Sequence, residues 1–287
     1  MKIVVLFLSA VFVSLAWASD VPHTVTGDLE IQPFTSRDFG NTRNLRILLP
    51  SGYHDMTSRH RRYPVMYLQD GQNLFDAATS AFGHEWQVDE TMERLWAEHK
   101  VEPMIIVGID NAQEKRADEY LPYRDEKFSP QVTNPRAVDY GTFLIDEVMP
   151  YIVKHYRVKT GAENTGLGGS SYGGLVSLYT VMHHPGAFGH LLIESMPLHI
   201  QDGHLIRDAQ NTKEWPQKIF LGIGTKETNS PAMAEEHVNW TRKLDDVLKA
   251  QGLTDQRLKF VIAPGAEHNE QAWADRFPQA MEFLWSK

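Results

Sequence analysis

Thr165-Gly-Leu-Gly-Gly-Ser-Ser-Tyr-Gly-Gly-Leu175 is the stretch on which the reading of this chain turns. Gly169-Ser170-Ser171-Tyr172-Gly173 within it matches G-x-S-x-G. To its left, Thr165 to Gly169 is a short strand-like run of small residues. To its right, Leu175, Leu178, Tyr179 and Met182 give an apolar face to a helix from Tyr172 to His184, which Pro185-Gly186 ends. A serine set between strand and helix in this way is a nucleophile elbow. The strained turn holds the hydroxyl clear of the sheet and aims the next backbone N–H, that of Tyr172, at a developing oxyanion. The flanking positions crowd the neighbouring strand and helix, so they need glycine. A phosphate-binding loop would need G-x-x-x-x-G-K-[S/T], and no such lysine follows. Ser170 lacks a glycine two residues later, which makes Ser171 the predicted nucleophile.

A serine hydroxyl is a poor nucleophile at neutral pH and needs a general base held by a carboxylate. In this arrangement the partners follow in the order Ser, then Asp or Glu, then His. The acid should follow one late strand and the histidine the next. Strand 218–223 leads into Gly224-Thr-Lys-Glu227, and strand 257–263 leads into Pro264-Gly-Ala-Glu-His268. The predicted constellation is therefore Ser171, Glu227 and His268. Thirteen histidines are present, but His183 and His184 end a helix, His199 and His204 lie in a loop, and none of these follows the last strand. Glu235 and Glu236 fall inside a helix; Asp202 is a fallback acid that precedes the expected strand. The second oxyanion donor is expected after strand 63–69, in Asp70-Gly71-Gln72-Asn73, as the N–H of Gln72. No metal or cofactor is expected.

Outward from these motifs the chain alternates strand-like and helix-like segments. Arg43 to Leu49 and Met104 to Ile109 read as strands. Glu85 to Lys100 reads as a helix with Val88, Met92, Leu95 and Trp96 on one face and Asp89 and Glu90 in its first turn, where the helix dipole favours acids. A helical period over Val138 to Tyr156 should kink or restart at Pro150. Strand 190–194, helix 232–250 and helix 270–286 complete the series. The alternation predicts an α/β fold with a mostly parallel central sheet and helices on both faces. The stretches 111–136 and 195–216 lack a clear period and follow strands, where open α/β sheets place their sites. No internal repeat or linker divides residues 19–287, which are expected to form a single domain.

The first residues differ from the rest. Lys2 is followed by the apolar run Ile3 to Trp17, and Ala16-Trp-Ala18 matches a signal-peptide cleavage site. Residues 1–18 are expected to direct export to the periplasm or beyond and to leave a mature chain without a stable membrane span. The formal net charge of −9 makes nucleic acid an unlikely partner by charge repulsion. The basic cluster Arg59 to Arg62 sits in a polar loop and reads as a solvated turn. Cysteine is absent, so disulfides, thiolate metal sites and a cysteine nucleophile are excluded.

Five segments in this order resemble the esterase family of α/β-hydrolases that includes esterase D, ferric-enterobactin esterase and feruloyl esterases. They are Tyr63 to Asp76, Ile106 to Asn111, Gly168 to Gly174, Gly224 to Glu227 and Gly265 to Trp273. The resemblance implies an α/β-hydrolase fold and carboxylic-ester hydrolysis through an acyl-enzyme, with Ser171 as nucleophile, His268 as base and Glu227 as acid. Many members have Asp at the acid position, so the longer glutamate must approach His268 differently. A small-molecule or carbohydrate-linked ester is the expected substrate. Acyl transfer to a sugar or other alcohol would use the same residues. A non-catalytic binding module on a hydrolase scaffold would not need all three. Trp86, Tyr120, Tyr123 and Trp240 are candidates for a bulky acyl pocket.

Overall fold

The computed structural model describes residues 21–124 and 132–285. The expected signal segment 1–18 lies outside the described residues, as does part of the aperiodic stretch 111–136. No helix among the described residues is long and apolar enough to cross a membrane.

One eight-stranded sheet organises the chain, in the order β1-β2-β4-β3-β5-β6-β7-β8. The strands are β1 (Asp28–Thr35), β2 (Thr42–Leu49), β3 (Val65–Gln69), β4 (Ile105–Ile109), β5 (Thr165–Ser170), β6 (His190–Glu194), β7 (Lys218–Lys226) and β8 (Leu258–Glu267). From β4 onward every pairing is parallel. β1 and β2 pair antiparallel, and β2 joins β4 antiparallel. The sheet is thus mostly parallel, as expected, with an antiparallel edge that the sequence reading missed. β1 carries no apolar run, because polar residues separate Leu29, Ile31 and Phe34 and Pro33 interrupts the segment. Proline is tolerated there because an edge strand has one unpaired side.

Helices α1 (Val88–Ala97), α2 (Arg116–Tyr120), α3 (Ala137–Phe143), α4 (Met149–His155), α5 (Tyr172–His183), α6 (His204–Asn211), α7 (Pro231–Ala250) and α8 (Glu270–Trp285) cover the two faces. Successive strand side chains point to opposite faces, so each central strand feeds two cores. Val65 and Tyr67 join one core with residues of α2 to α7, while Met66 and Leu68 join the other with α1 and α8. The two stretches without period contain α2 and α6, both short helices.

Pro150 acts as foreseen, but through a wider turn. A π-helical turn spans Leu144–Val148, between α3 and α4. Proline cannot donate to the carbonyl four residues back, and the Asp146 carbonyl instead accepts from Arg37 Nη2 at 3.4 Å.

Candidate active site

The carboxyl ends of β3, β5, β6, β7 and β8 build the site. Ser170 pairs with Glu194, and Glu194 with Gly222. The residues that follow, Ser171 and Ser195, therefore emerge side by side. Strands β7 and β8 run longer than their apolar cores, and after an irregularity Lys226 pairs with Glu267. That pairing extends both strands beyond the spans expected from sequence. It also delivers Glu227 and His268, 41 residues apart, to neighbouring positions.

Ser171 has φ 54° and ψ −129°, a conformation that costs about 1–3 kcal/mol for a residue with a side chain. Its N–H donates to the Glu194 carbonyl at 2.8 Å. The flanking glycines are needed for the reason the motif suggests. A Cβ on Gly169 would stand 2.8 Å from the Gly173 carbonyl carbon, and one on Gly173 would stand 2.9 Å from Asp70 Oδ2. The strain is held by close packing against backbone on one side and against the Gln69 and Asp70 side chains on the other. Ser170, the rival hydroxyl, is buried at the strand end.

The Glu227 carboxylate lies 2.6 Å from His268 Nδ1. A carboxylate can only accept, so Nδ1 carries the proton and Nε2 keeps its lone pair. Ser195 Oγ donates to Glu227 Oε1 at 2.7 Å, and the Gly224 N–H donates to the same oxygen at 2.6 Å. Trp273 Nε1 in turn donates to Ser195 Oγ at 2.9 Å. Burial pushes the Glu227 carboxyl up, but His268, Ser195 and the Gly224 N–H outweigh it and hold the group below its ordinary value. Glutamate, longer than aspartate, reaches His268 while its other oxygen is tied to Ser195 and Gly224.

Ser171 and His268 face one cavity of about 430 Å³, whose walls include Asp70, Gln72, Asn111, Arg116 and Glu270. Gln72 lies in the tight turn Gly71–Asn73, reached through Asp70 at φ 58°. Gly71 packs against β4 so closely that a Cβ there would meet the Gly108 carbonyl carbon at 2.7 Å. This contact seats the Gln72 backbone on the wall that Ser171 faces. Gln72 Oε1 accepts from the Asn111 N–H at 3.2 Å, and its carbonyl accepts from Thr79 Oγ1 at 2.7 Å. Tyr172 opens α5 directly after the serine.

Several site residues have no sequence signature. Asp70 takes two hydrogen bonds from Arg116, both at 2.7 Å, and one from Asn111 Nδ2 at 2.7 Å. Asn73 Nδ2 donates to Glu270 Oε1 at 3.2 Å. Beneath the site, Glu194 is buried against Arg276, whose Nε and Nη2 donate to Oε2 at 2.9 and 2.7 Å. The four aromatic candidates for the pocket are not on the wall that Ser171 faces. Trp86, in the loop before α1, and Tyr120, at the end of α2, are buried in the two cores. Tyr123 stacks on His204 at 4.2 Å, and Trp240 carries Lys243 over its ring at 3.8 Å. Phe82 and Trp273 line the cavity instead. The fallback acid Asp202 is exposed on a turn after β6.

Among the described residues, the one group of acidic side chains close enough to share a cation is Glu85, Asp89 and Glu90, whose ligand atoms lie within 4.8 Å of one another. It sits at the start of α1, and none of the three lines the cavity that Ser171 faces.

A family model described as Putative esterase matches residues 36–284. The chain is 27% identical over 266 residues to the endo-1,4-beta-xylanase/feruloyl esterase of Xylanibacter ruminicola, covering 90% of this chain and 31% of that protein. It therefore spans about a third of that relative's length. Among solved structures, the enterobactin esterase of Shigella flexneri superposes with a TM-score of 0.70 at 19% identity, covering 93% of this chain and 61% of that one. A ferulic acid esterase from the anaerobic fungus Anaeromyces mucronatus superposes with a TM-score of 0.66 at 20% identity, covering 94% and 92%. These likenesses place the fold among the α/β-hydrolases. With its sheet, its elbow and a family match over most of its length, the chain belongs to the Putative esterase family.

Proposed function

We propose that this chain is an exported serine esterase that cleaves carboxylic esters through an acyl-enzyme on Ser171. One observation carries the reading. Ser171 stands on a strained turn and faces the same cavity as His268, whose Nδ1 is 2.6 Å from a buried Glu227 carboxylate. His268 Nε2 takes the proton from Ser171 Oγ as the oxygen bonds to the ester carbon. The N–H groups of Gln72 and Tyr172 hold the resulting oxyanion, a contribution of about 3 kcal/mol per donor in known cases. His268 then returns the proton to the departing alkoxide, and water repeats the sequence to free the acid. Glu227 stabilises the imidazolium throughout and stays ionised.

The substrate class is a small-molecule or carbohydrate-linked ester, in keeping with the enterobactin and ferulic acid esterases that share the fold. The location is the periplasm or the exterior, supported by the apolar leader before Ala18. Ser19 as the N-terminal residue of the exported protein would bear this out; an intact Met1 on exported material would overturn it.

The decisive experiment treats the purified protein with a fluorophosphonate and maps the labelled peptide by mass spectrometry. Labelling at Ser171 that is lost in His268→Ala is expected, and Ser171→Ala should abolish ester turnover with the fold intact by circular dichroism. Turnover unchanged in Ser171→Ala would sink the assignment.

A further inference from the structure

A second cavity of about 380 Å³ adjoins the one that holds Ser171, lined by Phe82, His84, His268, Asn269, Glu270 and Gln271. The two share three residues: Phe82, His268 and Glu270. Gln72, a proposed oxyanion donor, lines only the first. His268 must hand its proton to the departing alkoxide, so the alcohol half of the ester has to pass over His268. A cavity of about 700 Å³ lined by residues 225–229 also borders His268, but it shares no other residue with the one that holds Ser171, so the second cavity is assigned to the leaving group.

The two residues that flank His268 there have complementary chemistry. Glu270 opens α8 with its side chain buried, at 3% exposure. Asn73 Nδ2 donates to its Oε1, and no ion pair balances its charge among the described residues. The other carboxylates beside the nucleophile differ, since Arg116 neutralises Asp70 and His268 holds Glu227. Burial pushes the Glu270 carboxyl up, and His268 and His84, which line the same cavity, draw it only part of the way back. Phe82, by contrast, is 77% exposed on the rim. An aromatic face carries negative quadrupole density that attracts ammonium groups. A carboxylate and an exposed ring around one space are the chemistry of cation recognition, and the net charge of −9 draws cations toward the molecule.

We infer that Phe82 and Glu270 form a subsite for an alcohol that bears an ammonium group, on the leaving-group side of His268. This rests on the serine-esterase reading and narrows its substrate. A cationic alcohol would give Glu270 the close ion pair it lacks among the described residues and would leave toward solvent past Phe82.

The test compares acetylcholine with 3,3-dimethylbutyl acetate, a neutral ester of the same shape and acyl group, on the full-length purified protein. The expected ratio of kcat/KM is about tenfold in favour of the cationic ester. Glu270→Gln, which keeps the size and the Asn73 hydrogen bond, should bring that ratio close to one, and Phe82→Ala should lower it. A wild-type ratio at or below one, or a ratio unchanged in both variants, overturns the subsite. If Glu270→Gln does not fold, Phe82→Ala decides alone, because its ring is exposed. If neither acetate is turned over, tetramethylammonium chloride should slow fluorophosphonate labelling of Ser171 more than equal sodium chloride does. Equal rates overturn the subsite while labelling itself keeps the esterase reading standing, and absent labelling removes the esterase reading.

Discussion

Two buried acids at helix and strand ends of this molecule respond to burial in opposite ways. Glu227, at the end of β7, receives three donors: the His268 imidazole, the Ser195 hydroxyl and the Gly224 N–H. Its carboxyl is held below the ordinary range despite burial. Asp89, in the first turn of α1, receives the N–H and hydroxyl of Thr26, at 2.6 and 3.3 Å, on one oxygen. Its other oxygen accepts from no donor, and a hydrogen bond with Glu90 favours the protonated form. Burial pushes it up to about 8, reinforced by Glu90 and Glu85. Glu85 is pushed up to about 7, again chiefly by burial. The sequence reading set Asp89 at the helix start for its favourable dipole; that interaction is outweighed by desolvation and by its acidic neighbours. Burial alone therefore says little about charge. The number of donors converging on both oxygens decides it, and donors converge where strand ends meet.

The comparison breaks most sharply at the acid of the site. Glu227→Gln removes the acceptor that holds the Nδ1–H tautomer of His268, and kcat should fall by about 10⁴-fold, as for an uncharged replacement in a known triad. A loss of less than about tenfold in steady-state turnover would show that Glu227 does not orient His268.

Glu194 is intermediate, a fully buried acid with one strong partner. Burial raises its carboxyl to about 7 against the pull of Arg276. Arg276→Met would leave that carboxylate unpaired, and unfolding in urea should show a loss of about 3–5 kcal/mol. An unchanged midpoint would mean that Glu194 is protonated and neutral in the native state.

The remaining test concerns pH. The folded chain keeps a proton on Asp89 up to about pH 8, whereas the unfolded chain releases it near its ordinary 3.8. The folded state thus binds more protons between these values, and stability must fall as pH rises through them. This contribution is complete below 3.8 and exhausted above about 8. Asp89→Asn offers its carbonyl oxygen to Thr26 and needs no proton. It should flatten the decline of Tm between pH 5 and pH 9 and raise Tm at pH 9. A pH slope equal to that of the wild type would place the titration elsewhere. Glu227 acts with the opposite sign. Its lowered value gives stability that is present above the ordinary 4.5 and lost as pH falls through the folded value.

How much could be read without the structure follows from the range of each constraint. The elbow is a local problem. Strand, strained serine and two close-packed glycines lie within one short run, so Ser171 and its turn were legible in Gly169 to Gly173. Chain order alone brought Glu227 and His268 into view, because each follows a recognisable apolar strand. An apolar face exposed α1 and α5 with ends within three residues of those found, and helix 232–250 matches α7 to within one residue. The sequence by itself thus determined the class of fold and brought into view a candidate nucleophile and the candidates for its partners. Only the tertiary structure decided what surrounds them. Ser195 meets Glu227 because Glu194 pairs with Gly222 across β6 and β7, and Trp273 meets Ser195 because α8 crosses beneath that edge. Trp86 and Tyr120 turned inward to the cores, while Phe82 stayed on the rim, a choice that no local pattern encodes. These contacts join residues tens of positions apart, and they depend on strand register and layer packing, which a linear pattern does not carry.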